Sequence, residues 1–544
     1  MTNINYKRRQ FLQYAAAGTF AATIPGLSCA TRQGSNMTPN PSFKADVEIA
    51  LNAQTSDVSI LPGPLTHVFK YTGKLLKGPP STLKELPGYL GPILNFEQGQ
   101  KVRIYFSNQL PEPCITHWHG MHVPQPMDGH PMYAIHRDEQ YLYEFEVTNP
   151  AGTNWYHSHT HELTAPQVYQ GLAGLITVSD EKERKLGLPS GEFDIPLIIQ
   201  DRSFSSNNQL RYILGMHQRM RGFHGDVILV NGQKDYSIPV KTRAYRLRIL
   251  NGSNARIYKL AWSDGTPITA IATDGGLMEK PQNLPYVMLA PAERVELWVD
   301  FSGRKPGSDI TLQSLAFGDS SSHMGGGGMR GGMRRGMGGD GMGMMGAPFG
   351  QDEEITIAKF QITEQISDSP KLPETLIPIP RLTLQDITHP DKVVPIAIGM
   401  RHMSFQLNGR TFDMYDYMES EQIPVNSIQR IKIFHDNRGM GGGMRRGGRG
   451  GGMGMGMMMS MPHPIHLHGQ QFQILSRMQT HQDSGYETVK HGFINSGWKD
   501  TVLVMPGEEI EIIKPFNDFK GFFLYHCHNL EHEDMGMMRN FLVS

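Results

Sequence analysis

The segment at residues 522–539 is dense in side chains that bind metal ions, and it constrains the fold more than any other part of the chain. It reads Phe-Phe-Leu-Tyr-His-Cys-His-Asn-Leu-Glu-His-Glu-Asp-Met-Gly-Met-Met-Arg. Its aromatic start is typical of a strand, and successive side chains of a strand point to opposite faces. His526 and His528 are therefore predicted on one face and Cys527 on the other, so that one strand serves two metal sites.

The same segment contains most of a second, distinct ligand set. A thiolate, two imidazoles and a weak axial thioether are the ligands of a blue copper site, which transfers electrons. Cys527, His532 and Met537 supply three of these four groups. The second imidazole is available at His463, which begins another histidine-rich run.

His-x-His pairs occur four times in distant parts of the chain. They are His117 with His119, His157 with His159, His466 with His468, and His526 with His528. Residues two apart share one face of a strand, so the pairs predict eight imidazoles that converge on a separate metal cluster. Scattered structural histidines or a single zinc site are the simpler interpretations. Zinc usually takes four ligands in one closed site, which does not account for four blocks at fixed spacings.

The four segments resemble the copper-binding motifs of the multicopper oxidases, the family that contains laccases, bilirubin oxidases and cuprous oxidases. The resemblance covers most of the chain and implies an enzyme with four copper ions as cofactors. It implies that the blue, or type 1, copper is held by His463, Cys527, His532 and Met537, and the type 2 copper by His117 and His466. The coupled type 3 pair would then be held by His119, His157, His159, His468, His526 and His528.

The resemblance also implies a reaction with dioxygen. Electrons would leave a donor near an exposed edge of the blue site at His463, pass through Cys527 to the type 3 ligands, and reduce dioxygen to water. In the family, one carboxylate near the type 2 copper and another beside a blue-copper histidine supply protons. The matching positions are Asp128 and Glu533, which are the candidate catalytic residues.

A basic, alternating strand that ends in asparagine is predicted three times, at residues 101–108, 245–251 and 429–437. Each is followed by a predicted partner strand, at residues 141–147, 295–300 and 509–514. Period-two strands separated by glycine, proline and asparagine, with almost no helical periodicity, predict an all-β chain of three consecutive Greek-key β-sandwich domains. The resemblance implies that these domains are cupredoxin-like.

The domains are predicted at residues 45–180, 185–365 and 396–544, with a proline-rich linker at 366–395. The histidine pairs occur only in the first and third domains. The metal cluster is therefore expected at the interface of those two domains, and the middle domain is expected to be largely a spacer.

Two segments rich in glycine and methionine interrupt this order, at residues 323–346 and 438–461. Their glycine content predicts flexibility, and soft thioethers favour Cu(I). The second segment runs into His463, so a cuprous oxidase that protects against copper is favoured. Those oxidases carry an acidic ligand of the substrate copper four residues before the first histidine of this motif. This chain has Met459 there, whereas Met461 matches, and both are candidate ligands of the substrate copper.

Two other functions stay open at this point. A laccase-like oxidase would take electrons from phenols or other small organic donors. A periplasmic copper-sequestering protein would keep the fold without turnover, although the complete ligand motifs argue against this.

The N-terminal run from Lys7 to Leu12, followed by small apolar residues, resembles a twin-arginine export signal over residues 1–30. It predicts a protein that is periplasmic or otherwise exported, and a partner in the twin-arginine translocation machinery, with lipid attachment at Cys29 as the alternative. Beyond this segment the cysteines are Cys114 and Cys527, which excludes a framework of intramolecular disulfides.

The net charge of the chain is close to zero, because Lys and Arg total 51 against 52 Asp and Glu. This balance does not favour binding to nucleic acid. We also expect the protein to be a monomer.

Overall fold

The computed structural model describes residues 38–318, 350–351, 353–401, 404–435, 461–480 and 484–544. The predicted export signal with Cys29, nearly all of both methionine-rich segments, and Met459 lie outside the described residues. Within the described ranges, the larger sheets form three pairs that follow one another along the chain.

The first pair of sheets encloses a core of aliphatic and aromatic side chains. In Val47–Val58 the buried residues alternate, and Val47, Ile49 and Leu51 share one core with Ile176 of the opposite sheet. In order across the four-stranded sheet, the strands are Thr66–Lys77, Val47–Val58, Lys101–Asn108 and Gln140–Glu146. The five-stranded sheet contains Leu83–Lys84, Ile93–Glu97, Ala173–Ser179, Gly152–Ser158 and Thr116–His117.

The second pair of sheets is larger, and Leu197, Leu247, Leu260 and Phe360 belong to its shared core. The seven-stranded sheet contains Gln233–Lys234, Val227–Val230, Asp194–Arg202, Ala244–Asn251, Arg294–Asp300, Ile268–Thr273 and Gly276–Leu284. The five-stranded sheet contains Ser237–Lys241, Ile355–Glu364, Asp309–Ser314, Tyr258–Trp262 and Val287–Leu289. Phe317–Gly318 pairs separately with Gly350–Gln351.

The third pair of sheets packs around Ile431, Ile465, Tyr525 and Phe541. One sheet contains Ser404–Leu407, Val393–Arg401, Ser427–His435, Glu508–Phe516 and Gln473–Gln479. The other contains Gln422–Ile423, Met538–Val543, Gly521–Cys527, His463–Leu467 and Thr501–Val504.

The same local topology recurs in all three sandwiches. Each predicted basic strand pairs antiparallel with its predicted partner and parallel with the first long strand of its sandwich. This repetition confirms the predicted all-β fold of three consecutive β-sandwiches. The strand Val393–Arg401 begins inside the predicted linker, because its residues pair with the basic strand of the third sandwich despite Pro395.

The helices in the described part of the chain are short and lie between strands. The α-helices are Thr164–Gln170, Glu181–Arg184, Met216–Arg221, Ser484–Glu487 and Leu530–Asp534. The 3-10 turns are Pro80–Thr82, Gln125–Met127, Pro131–Tyr133, Gly191–Phe193, Leu384–Asp386, Glu419–Glu421 and Lys490–Gly492. None of the described helices has the length and apolar character needed to span a membrane.

Candidate metal centre

Strand pairing brings the histidine pairs of each outer sandwich together. In the first sandwich, His117 lies opposite His157 across two antiparallel strands. In the third, His466 lies opposite His526 in the same way. All eight histidines of the four pairs are buried, so their rings meet in the interior between the two sandwiches.

The eight imidazoles form overlapping groups whose ligand nitrogens lie within 4.8 Å of one another. The groups are His119 with His157 and His528, His159 with His468 and His526, and His117 with His119 and His466. Each group combines side chains of the first and third sandwiches. The six predicted type 3 residues fall into the first two groups, and the two predicted type 2 residues share the third.

Hydrogen bonds to oxygen fix which nitrogen of a ring faces the cluster. Nδ1 of His117 lies 2.5 Å from the carbonyl oxygen of Asp128, and Nδ1 of His466 lies 2.9 Å from that of Asp500. A carbonyl oxygen only accepts, so each Nδ1 carries the hydrogen and each Nε2 keeps its lone pair. Within the described residues, neither Nε2 has a hydrogen-bond partner. Both nitrogens are therefore oriented to bind a metal ion.

The nitrogens that face each other have the spacing of ligands on one metal ion. Nδ1 of His119 lies 3.4 Å from Nε2 of His157, and Nε2 of His526 lies 3.3 Å from Nε2 of His159 and 3.2 Å from Nε2 of His468. Imidazole nitrogens bound tetrahedrally at about 2.0–2.1 Å lie roughly 3.3 Å apart. Burial lowers the pKa of His119, His159 and His468 well below the usual range, so these rings are neutral, as ligands must be. The residues present fit a copper cluster.

Cys527 belongs to a different group from its neighbours His526 and His528. Its Sγ lies 3.5 Å from Nδ1 of His463 and 3.7 Å from Nδ1 of His532. Burial raises the pKa of the Cys527 thiol, so a bound metal ion has to displace its proton. One sulfur and two imidazole nitrogens in this arrangement match the ligand set of a blue copper.

Met537 is fully buried in the same hydrophobic core as Cys527. The amide of Cys527 donates to the carbonyl of Met537 at 3.1 Å, and the amide of Met537 donates to the carbonyl of His532 at 2.9 Å. These backbone bonds hold Met537 next to two ligands of the predicted blue site. It is therefore well placed to supply the axial thioether.

Replacing Met537 with leucine is expected to raise the reduction potential of the blue copper. A weak donor that stabilises Cu(II) is lost, whereas the thiolate and the imidazoles stay. Leucine has a similar volume, so we expect the free energy of unfolding to change by less than about 1.5 kcal/mol. Redox titration of both copper-loaded proteins measures the shift, and an unchanged or lower potential would mean that Met535 or Met538 is the axial ligand.

Both imidazoles of the predicted blue site are buried, so the expected exposed edge at His463 is wrong. His463 is 2% exposed and His532 is 0% exposed. Phe405 stacks on the His532 ring with centroids 3.9 Å apart, and Nε2–H of His532 donates to the carbonyl of Met220 at 3.0 Å. Electrons from a donor at the surface therefore have to cross a layer of protein.

Asp128 is buried against two imidazoles of the cluster. Its Oδ1 lies 3.5 Å from Nδ1 of His117, and its Oδ2 lies 2.7 Å from Nδ1 of His468. Burial raises the pKa of Asp128 well above its usual range, and the charge of Lys514 only partly opposes this. The side chain can therefore hold a proton beside the cluster at neutral pH.

Glu533 lies beside cluster histidines, not beside a blue-copper histidine as the sequence suggested. Its Oε2 lies 3.0 Å from Nδ1 of His526, and its Oε1 lies 3.8 Å from Nε2 of His159. Glu533 follows His532 on the helix Leu530–Asp534, where consecutive side chains point about 100° apart. Its carboxylate therefore turns away from the blue site. Burial alone would raise the pKa of Glu533, but the neighbouring imidazoles lower it to about 2.

The middle sandwich contributes two groups that the sequence did not reveal, so it adds contacts to the metal sites beyond the role of a spacer that the sequence predicted for most of it. Met220 supplies the carbonyl that binds His532, and Arg294 pairs with Asp500 beside the cluster. Neither residue stands at a fixed spacing from a histidine pair. Their proximity to the ligands arises only when distant strands meet.

Known proteins are similar to this chain in sequence and structure. Two family models described as multicopper oxidase match residues 87–183 and 389–544. The chain is 30% identical to a multicopper oxidase of Staphylococcus haemolyticus, over 91% of this chain and 88% of that protein. It is 29% identical to a laccase of Bacillus stratosphericus, over 85% of this chain and 90% of that protein.

Among solved structures, the McoA multicopper oxidase of Aquifex aeolicus matches with a TM-score of 0.72 and 29% identity. The match covers 92% of this chain and 97% of McoA. The regions of similarity therefore include all three sandwiches and the ligand groups that lie between the first and third. This chain belongs to the multicopper oxidase family, oxidoreductases that use four copper ions to couple the oxidation of a donor to the reduction of dioxygen.

Proposed function

We propose that this multicopper oxidase takes its electrons from Cu(I), oxidising it to Cu(II) while dioxygen is reduced to water. The observation that carries the proposal is the position of Met461, which ends a methionine-rich segment two residues before His463. Soft thioethers favour Cu(I), so the donor would be held next to the blue site. Export by the twin-arginine pathway, predicted from residues 1–30, would place this reaction and its role in copper homeostasis in the periplasm.

Contacts among the described residues connect Met461 with the blue site. Met461 is 6% exposed, and its carbonyl accepts a hydrogen bond from Nε2 of His435 at 3.3 Å. The His435 ring lies 5.6 Å from the ring of His463. These contacts provide a short path through the buried layer, from the end of the methionine-rich segment to a predicted ligand.

Bound copper supplies the one-electron redox chemistry and the reduction of dioxygen. The chain joins the two sites covalently, because Cys527 of one is bonded through the backbone to His526 and His528 of the other. Asp128 is placed to hold a proton beside a cluster imidazole, whereas Glu533, with its lowered pKa, places a carboxylate beside His526. Burial of the rings keeps bulk water away from them.

A small organic donor, as in laccases, is the second candidate. A cavity of about 580 Å³ lies beside the helix that carries His532, and its lining includes Tyr212, Phe412, Glu531 and Met535. Pockets for small molecules typically have volumes of about 300–1,000 Å³. The hydroxyl of Tyr212 donates to Glu531 at 2.6 Å, and Glu531 directly precedes His532. The cavity has the size and the aromatic lining for a phenol.

Deleting residues 440–460, with a short Gly-Ser bridge that spares Met461, tests which donor is used. We expect kcat/KM for Cu(I) to fall by about tenfold or more, because the thioethers no longer raise the effective concentration of Cu(I) near His463. For a bulky phenol kcat/KM should stay unchanged or rise, because the deleted residues can no longer obstruct the approach of a large donor to the blue site near His463. Steady-state oxygen uptake with each donor, on variants that hold full copper, measures the contrast.

Deleting residues 323–345 is the matched control, because this segment is equally rich in methionine but is not adjacent to any ligand in the sequence. Its effect on Cu(I) oxidation should be the smaller of the two. If removal of residues 440–460 reduces both activities equally, the segment is a structural part of the third sandwich, and the proposal for Cu(I) loses its main support.

A further inference from the structure

The Asp500 carboxylate is the point where side chains of all three sandwiches meet. It is 0% exposed and belongs to the third sandwich. Arg294 of the middle sandwich binds it at two points, with Nη1 2.8 Å from Oδ1 and Nη2 2.5 Å from Oδ2. Such paired hydrogen bonds fix the plane of a carboxylate as well as its position.

Asp500 in turn orients two of the predicted copper ligands. Its Oδ1 lies 3.1 Å from Nε2 of His119, which belongs to the first sandwich. Its backbone carbonyl lies 2.9 Å from Nδ1 of His466, which belongs to the third. A carboxylate held by Arg294 is an acceptor, so Nε2 of His119 carries the hydrogen and Nδ1 faces Nε2 of His157 at 3.4 Å. His119 thus presents the opposite nitrogen from His117 and His466.

Arg294 is itself held in place by the remaining N–H groups of its guanidinium. Nε donates to the carbonyl of Thr153 at 3.0 Å, Nη1 to that of Ala292 at 3.0 Å, and Nη2 to that of Asp274 at 2.9 Å. Thr153 lies on the strand that carries His157. All five donors are used, which a lysine with three donors on a flexible stem cannot reproduce.

We propose that Arg294 of the middle sandwich is a positioning residue for the copper cluster, acting through Asp500 to fix which nitrogen of His119 faces the metal ions. Without the guanidinium, the carboxylate loses both bonds that fix its plane, and the hydroxyl of Thr501, which donates to Oδ1 at 2.9 Å, holds that oxygen at one point only. A single bond lets the carboxylate rotate, so the contact between Oδ1 and Nε2 of His119 is weakened. The ring can then present either nitrogen to the cluster. This role concerns the reaction with dioxygen and is independent of whether Cu(I) or a phenol supplies the electrons.

The test compares copper-loaded Arg294→Met and Arg294→Lys with the wild type. In Arg294→Met we expect the blue absorption to be kept, the near-ultraviolet absorption of the type 3 pair, to which His119 is assigned, to change, and the reoxidation of fully reduced enzyme by dioxygen to slow by about 10- to 100-fold. Arg294→Lys restores the charge but not the paired geometry, so its spectrum and rate should lie between those of Arg294→Met and the wild type.

Arg246→Met is the matched control. Arg246 is an equally buried arginine of the same sandwich, paired with Glu296 and Glu183, and it has no contact with Asp500 among the described residues. The near-ultraviolet absorption of the type 3 pair and the reoxidation rate of this control should match those of the wild type. Wild-type behaviour of Arg294→Met would overturn the proposal, and so would an equal spectral change in Arg246→Met. If Arg294→Met does not fold, wild-type spectrum and rate in Arg294→Lys would overturn it, because charge alone would then suffice.

Discussion

Replacing Cys527 with serine is expected to abolish both the blue colour and the turnover of the copper-loaded enzyme. A thiolate on a trigonal copper is the source of the intense charge-transfer band, and a serine hydroxyl provides no such ligand. Sγ of Cys527 lies 3.5 Å and 3.7 Å from the imidazole nitrogens of His463 and His532. Loss of this sulfur also removes the covalent route for electrons to the cluster. Visible absorption spectroscopy and oxygen uptake measure the two effects.

Cys114 provides a matched control, because it is the other free and buried cysteine in the part of the chain that the structure describes. Its Sγ lies 3.9 Å from the hydroxyl of Ser158, and burial raises the pKa of its thiol to about 12. Cys114→Ser should keep the colour and the activity, with the free energy of unfolding lowered by about 1 kcal/mol. A blue and active Cys527→Ser protein would contradict the proposed ligand set.

Asp128→Asn is expected to slow the reaction with dioxygen by about 100-fold or more, while the blue absorption stays intact. General acid–base groups typically contribute about 10²- to 10⁴-fold to a rate, and asparagine keeps the shape of Asp128 but cannot carry the proton. Within the described residues, Asp128 contacts His117 and His468 of the cluster and no ligand of the blue site. Stopped-flow absorption should therefore show normal anaerobic reduction of the blue copper and slow reoxidation by dioxygen.

Asp534 offers the comparison for this variant. Burial also raises its pKa well above the usual range, but its oxygens accept from the amides of Thr164 and Ala165 at 3.0 Å and 2.9 Å instead of contacting cluster imidazoles. Asp534→Asn should leave both half-reactions near their wild-type rates. Slow anaerobic reduction in Asp128→Asn would place that residue on the donor side, against our assignment.

Local patterns in the sequence were sufficient to predict the repeated sandwich and the convergence of the histidine pairs. Side chains on a strand return to the same face every two residues, so the alternation in Lys101–Asn108 and in its two counterparts predicted three strands, each of which pairs with its predicted partner. The same periodicity placed both members of each His-x-His pair on one face. The family resemblance then supplied the division of these rings between copper sites.

Features that depend on contacts between distant segments were not predictable in this way. Arg294 and Asp500 are separated by 206 positions, and the hydrogen bonds between them form only when the middle and third sandwiches pack together. Glu533 was misplaced for a local reason, because its position next to His532 in the sequence was taken as proximity to the blue site. Both residues lie on the helix Leu530–Asp534, where consecutive side chains point about 100° apart, so the carboxylate reaches His526 instead.

Both metal sites depend on ligands near the C-terminal end of the chain, so neither site can be completed until synthesis is almost finished. Cys527 and Met537 of the blue site, and His526 and His528 of the cluster, lie in the segment Gly521–Val543. The first sandwich leaves the ribosome long before this segment is made, so neither complete ligand set exists in the growing chain. A product truncated before residue 526 therefore lacks ligands of both centres at once: the cysteine, the methionine and one histidine of the blue site, and two of the eight cluster imidazoles.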